Sequence, residues 1–161
     1  MGYGYELKCK KCGYEHTVLL GIGFSYPRVC AKILDAMKNG EFGKRFMEES
    51  QNTPHAAVHR EREIFVCEHC GEWKSDETID LCAPNGEYQK RKGRFSVAVD
   101  YPEDVKYVMP FDIGREYTVI RSKQHRCSKC RHVMRPIKKN EKLKCPECGE
   151  TLKKGDSINW D

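Results

Sequence analysis

The sequence predicts a small α+β protein in which short antiparallel strands frame cysteine-bearing turns and a short helical segment is inserted between them. Three observations carry that reading. Four Cys-x-x-Cys pairs, Cys9/Cys12, Cys67/Cys70, Cys127/Cys130 and Cys145/Cys148, recur along the 161 residues. Beside the pairs, residues alternate in polarity with the period of two that a half-buried strand requires. Between the first two pairs, apolar residues recur instead every three or four positions, the period of an amphipathic helix.

The pairs point to metal. Two cysteines three positions apart on a tight turn aim both sulfurs at one ion, and zinc takes four such ligands at tetrahedral corners. Glycine after the second cysteine permits the left-handed backbone of such a turn, and it stands there at Gly13, Gly71 and Gly149. Arg131 takes its place in the third pair, so that turn must close differently or accept strain. Pro146 pre-sets one backbone angle of the last turn. The opening residues MGYGYELKCK hold no apolar run of the kind that heads a secreted chain. A cytoplasmic protein is therefore expected, in which paired cysteines read as metal ligands or redox groups rather than disulfides. Pairing in sequence order closes the shorter loops and is the simplest arrangement, with a crossed arrangement as the alternative.

CSKC…CPECG resembles a zinc ribbon, and LKCKKCGYEHT resembles the first knuckle of the rubredoxin-like zinc and iron proteins. The resemblance covers the four knuckles and their flanking strands. It implies that Cys127, Cys130, Cys145 and Cys148 ligate one Zn2+, and that Cys9, Cys12, Cys67 and Cys70 ligate a second. Iron is the alternative at that first site, since it also accepts four thiolates. The expected organisation is an N-terminal split ribbon over 1–82, a helical insertion at about 26–60, a connecting β segment over 83–120, and a basic C-terminal ribbon over 121–161.

Composition bounds the rest. At 33% charged residues the chain is polar for its size, so a modest core would lean on metal for folding free energy. No run is long and apolar enough for a transmembrane helix, and Glu6 stands where a myristoylation signal needs Ser or Thr. The formal net charge is +5, but each zinc with four thiolates carries −2, which brings the total to about +1. Residues 121–154 hold twelve Lys or Arg against three Glu, a formal +9. One part of the protein is therefore basic and the remainder is not.

Along the chain, Tyr3–Lys8 and Tyr14–Leu20 read as antiparallel partners around the first knuckle. Gly21-Ile22-Gly23 invites a phosphate-loop reading, but the third glycine of that fingerprint is missing and a tight turn is the better account. Pro27 marks a helix start, with Val29, Cys30, Ile33, Leu34 and Met37 on one stripe and Asn39-Gly40 as its stop. A second helix over Glu41–Ser50 carries Phe42, Phe46 and Met47. Thr53-Pro54 opens a short helical turn that would hold His55 and His59 on one face, as a solvated turn or a further metal site. Glu61–Val66 enters the second knuckle, and Trp73 and Ile79–Leu81 form strand and core. Cys30 and Cys82 read as buried thiols. Tyr88–Arg94 is a basic run, Phe95–Val99 and Lys106–Met109 are strands, and Tyr117–Arg126 leads to the third knuckle. Trp160 closes a tail that docks or floats.

A closed four-cysteine site offers no open position for catalysis, and no paired carboxylates stand at a recognisable spacing. A non-enzymatic protein is expected. The cations Arg126, Lys129, Arg131, Arg135, Lys138, Lys139, Lys142 and Lys144 suit nucleic-acid phosphates, with His125, His132 and Tyr88 as stacking groups. An acidic protein partner is the alternative occupant.

Overall fold

The computed structural model describes residues 2–23, 25–86 and 106–160. Its elements are β1 (Gly2–Lys8), β2 (Glu15–Gly21), α1 (Tyr26–Lys38), α2 (Lys44–Asn52), β3 (Ala57–Val66), β4 (Trp73–Pro84), a 3-10 turn (Pro110–Asp112), β5 (Tyr117–Ser122), β6 (His125–Arg126), β7 (Val133–Pro136) and β8 (Lys153–Trp160). The eight strands form an antiparallel sheet of order β5-β4-β3-β2-β1-β8, with β7 pairing both β3 and β6. This is the α+β class the sequence predicts. The chain divides into two compact units. One is built from Met1–Phe24, Glu61–Thr78 and Gln124–Asp161, the other from Ser25–Arg60 and Ile79–Lys123.

In the first unit, β1 and β2 pair in the register Tyr3↔Leu20 to Lys8↔Glu15, as their alternation predicts. The other edge of β1 is taken by β8, with Gly2 opposite Trp160 and Lys8 opposite Lys153. The C-terminal tail is therefore a strand. Trp160 docks by donating its indole N–H to the carbonyls of Tyr3 and Leu20, at 3.0 and 3.1 Å. The Arg62 guanidinium lies over its ring at 5.1 Å. A Cβ on Gly2 would sit 2.2 Å from that ring, so only glycine fits opposite the indole. Leu7, Val18, Leu20, Ile64, Val66, Trp73, Leu143 and Leu152 form the core. These residues come from both ends of the chain and from its middle, so the core exists only when the three segments assemble.

The second unit holds both helices. Pro27 lies in the first turn of α1, which ends at Asn39 ahead of Gly40 at φ 85°. Tyr26, Cys30, Leu34 and Met37 are the buried face. Val29 and Ile33 flank it, half-buried, so the stripe is rotated slightly from the expected one. Helix α2 buries Phe46 and Ser50 and starts three residues later than expected, after Gly43 at φ 93°. Arg121 on β5 grips Glu49 of α2 through two guanidinium nitrogens. A small core of Ala57, Cys82, Val108 and Tyr117 lies under the strands of this unit.

Three expectations change here. His55 and His59 do not share a helical face. His55 occupies a turn at φ 53° and His59 lies on β3, because Ala57 and Val58 are buried in that strand. Lys106–Met109 forms a single parallel bridge, Tyr107 to Val58, rather than a strand. The long strand expected over Tyr117–Arg126 is broken after Ser122 into β5 and β6. The basic run Tyr88–Arg94 and the expected strand Phe95–Val99 lie outside the described residues.

The docked tail gives a test. Replacing Trp160 with Ala removes two hydrogen bonds and a half-buried indole, so the metal-loaded protein should lose about 2 kcal/mol in denaturant unfolding. An unchanged unfolding midpoint would mean that the tail does not belong to the sheet.

Candidate metal centre

All four Cys-x-x-Cys turns fold the same way. The N–H of the first cysteine donates to the carbonyl five residues on: Cys9 to Tyr14, Cys67 to Glu72, Cys127 to His132 and Cys145 to Glu150, at 2.7–2.9 Å. The residue after the second cysteine donates back to the first cysteine's carbonyl at 2.9–3.0 Å. That residue has positive φ in each case: 76° at Gly13, 74° at Gly71, 64° at Arg131 and 73° at Gly149. The third knuckle therefore does not close differently. It takes the same geometry and leaves an arginine in the left-handed region, at a cost of about 1 kcal/mol.

The knuckles meet in two quartets, Cys9, Cys12, Cys145 and Cys148, and Cys67, Cys70, Cys127 and Cys130. This is a nested arrangement, neither sequential nor crossed, and it corrects the expected pairing of Cys9/Cys12 with Cys67/Cys70 and of Cys127/Cys130 with Cys145/Cys148. The loop-entropy argument for sequential pairing was too weak to decide. In sequence order, the closed loops would hold 54 and 14 residues. In the nested order, the inner loop holds 56 residues and the outer one is shortened once the inner is closed. The difference is about 1.5 kcal/mol. Burying Leu143 and Leu152, at 6% and 7% exposure, offsets this on its own, at about 1.5–3 kcal/mol per leucine.

Within the first quartet, Cys9 and Cys148 sulfurs stand 3.5 Å apart, as do those of Cys12 and Cys145. In the second, Cys67–Cys130 is 3.4 Å, and Cys70–Cys127 and Cys70–Cys130 are 3.5 Å. Four thiolates around an ion with metal–sulfur bonds of about 2.3 Å lie roughly 3.8 Å apart, so each quartet closes on an ion with small adjustments. Each also has two buried cysteines at the strand ends, one exposed and one half-buried. The donor set fits a metal ion in both places.

The turns prepare the sulfurs electrostatically. Backbone N–H groups of Cys12 and Lys11 aim at Cys9 and hold its thiol down at about 7, against desolvation. Those of Cys130 and Lys129 do the same for Cys127. Cys12 and Cys130 receive help from the Tyr14 and His132 N–H groups, yet desolvation and three neighbouring thiols push them up to about 12. Four thiolates cannot crowd together without a cation, so metal uptake must displace protons.

Cys30 and Cys82 belong to neither quartet. Both are fully buried, and burial pushes each thiol up to about 12. His59 is also buried. The Tyr26 hydroxyl donates to the Val108 carbonyl, and His59 Nδ1 lies 2.9 Å from the Tyr26 oxygen.

The eight candidate cations do not form one patch. Lys129 pairs with Glu72 at 2.6 Å. Arg135 is held by Glu141 at 2.8 and 2.9 Å and by Glu68 at 2.5 Å. Lys138 lies 3.9 Å from Glu68. Arg126 donates to the Arg131 carbonyl at 3.2 Å. Arg131 and Lys139 are exposed. Lys142 and Lys144 instead lie at the first quartet, where Lys144 reaches Thr151 Oγ1 at 3.0 Å. Of the expected stacking groups, His125 is buried against Phe65 with ring centroids 3.8 Å apart, near Asp76, and cannot meet a base. His132 is exposed and stacked on His69, and Tyr88 lies outside the described residues.

Sequence reasoning missed a cleft of about 520 Å³ lined by Lys10, Lys11, Lys142, Glu150, Thr151 and Lys153. Lys10 and Lys11 were visible inside the first Cys-x-x-Cys, but only the nested pairing places them beside Lys142 and Lys153. No family model matches the chain, and no curated protein or solved structure matches it either.

The strained knuckle supplies a test. Arg131→Gly relieves the left-handed backbone and should stabilise the metal-loaded protein by about 0.5–1 kcal/mol in denaturant unfolding. A clear loss of stability would show that the arginine side chain, not its backbone, matters at this turn.

Proposed function

We propose that this chain is a non-catalytic zinc protein that binds nucleic acid through the lysine cleft beside its first cysteine quartet. Zinc is the ion best suited to two closed sites of four thiolates, since it prefers tetrahedral geometry and has no redox chemistry to control. With zinc bound, the sites hold the fold together rather than perform chemistry.

The observation that carries the binding reading is the cleft itself. Lys10, Lys11, Lys142 and Lys153 line it with Glu150 as the one carboxylate, and Lys144 joins its rim through Thr151. A zinc-filled quartet contributes −2 beneath them, so the site keeps about +2 overall. Its lysines are exposed, while the cysteine sulfurs lie at the turns. A row of unpaired phosphates is the ligand that such a shallow, multiply cationic surface recognises. By contrast, Lys129 and Arg135, on the stretch with the highest cation density, are already occupied by carboxylates.

The test is fluorescence anisotropy of zinc-loaded protein with labelled single-stranded RNA, single-stranded DNA and duplex DNA, at low and physiological salt. Binding should weaken steeply with salt. Lys10→Gln/Lys142→Gln/Lys153→Gln should weaken it at least about tenfold and flatten the salt slope by roughly 0.7 per lost phosphate contact on a single strand. Lys129→Gln should leave both nearly unchanged. Absence of binding by the native protein at low salt would reject the reading and turn attention to an acidic protein partner.

A further inference from the structure

The second quartet carries a feature that the first lacks. His69, inside the knuckle of Cys67 and Cys70, and His132, two residues past Cys130, stack face to face with ring centroids 4.0 Å apart and planes 7° from parallel. Both are exposed. One nitrogen from each ring and the sulfur of Cys130 lie within 4.8 Å of one another. At the corresponding positions of the first quartet stand Lys11 and Glu150, which offer no such donor set.

We propose that His69, His132 and the Cys130 thiolate bind a further, exchangeable metal ion of the zinc class, with Cys130 bridging it to the ion of the second quartet. Three physical arguments support the site. First, a thiolate already bound to one divalent ion keeps lone pairs for another, and a four-thiolate centre with net charge −2 attracts cations. Second, His132 Nδ1 lies 3.1 Å from the Cys130 carbonyl. A carbonyl only accepts, so Nδ1 carries the proton and Nε2 keeps its lone pair, the arrangement found behind metal-bound imidazoles. Third, two nitrogens and one sulfur make a borderline donor set, which selects zinc, nickel or copper over magnesium and calcium. The last torsion of a histidine is broad, and both rings are exposed, so their nitrogens converge on an ion without disturbing the knuckles. The fourth position would be open to water. Such an ion exchanges more readily than one enclosed by four cysteines.

This proposal is independent of the nucleic-acid reading, because it concerns the other quartet and is read by metal content. Untagged protein is stripped of metal, reloaded with excess Zn2+ and passed through a desalting column, and its bound metal is counted. Parallel Co2+ titrations follow the visible ligand-field bands. The native chain should take up a third equivalent that a weak chelator removes while two remain. His69→Ala and His132→Ala should each stop at two, with unchanged circular dichroism. His16→Ala, which removes an exposed histidine distant in sequence, should keep all three. Saturation of the native chain at two ions, or a third ion that survives both His69→Ala and His132→Ala, would overturn the proposal.

Discussion

The first unit is framed by a nested pair of cysteine quartets, each able to hold a metal ion. The knuckle before β2 shares its quartet with the knuckle before β8, and the knuckle after β3 shares its quartet with the one before β7. The outer quartet therefore ties residues 9 and 148 together across nearly the whole chain, and the inner one closes the segment between them. The strand pairing of β1 with β8 and the pairing of β3 with β7 repeat the same two closures through the backbone. Cysteine grouping, sheet register and core burial agree. That agreement across levels is what allows a chain this polar to specify one structure.

The same nesting explains where the insertion goes. The second unit is made of two segments, Ser25–Arg60 and Ile79–Lys123, each leaving and re-entering the cysteine-bearing framework within or beside a strand. Its buried thiols and its Tyr26–His59 hydrogen bond are satisfied internally by packing and by the Val108 carbonyl. No cysteine of that unit is needed by either quartet. The two quartets that could hold metal thus lie in one unit, while the other packs an amphipathic helix and a small core of Ala57, Cys82, Val108 and Tyr117.

Local features were legible in the sequence because they follow from local rules. Strand alternation located β1 and β2, Pro27 and Asn39-Gly40 bracketed α1, and cysteine spacing identified all four knuckles. What escaped was long-range. Each knuckle has the same spacing and the same turn, so nothing local says which two meet, and the entropic preference between pairings is only about 1.5 kcal/mol. The choice is made by leucines and a tryptophan distant in sequence. His59 was misplaced for a related reason: a short His-x-x-x-His spacing suits a helix, but Ala57 and Val58 beside it are fully buried in a strand. The lysine cleft and the His69–His132 stack were invisible because each joins residues that only the nested pairing brings together. Arg131 shows the converse, since a shared fold forces a non-glycine residue into a backbone shape that its sequence alone argues against.

The most direct measurement of the nested pairing is NMR of the protein loaded with an NMR-active cadmium isotope, with scalar correlations from each metal to the cysteine β protons. The account predicts one cadmium resonance coupled to Cys9, Cys12, Cys145 and Cys148, and another coupled to Cys67, Cys70, Cys127 and Cys130. A cadmium coupled to Cys9, Cys12, Cys67 and Cys70 together would contradict it, and with it the placement of the C-terminal strand and the lysine cleft.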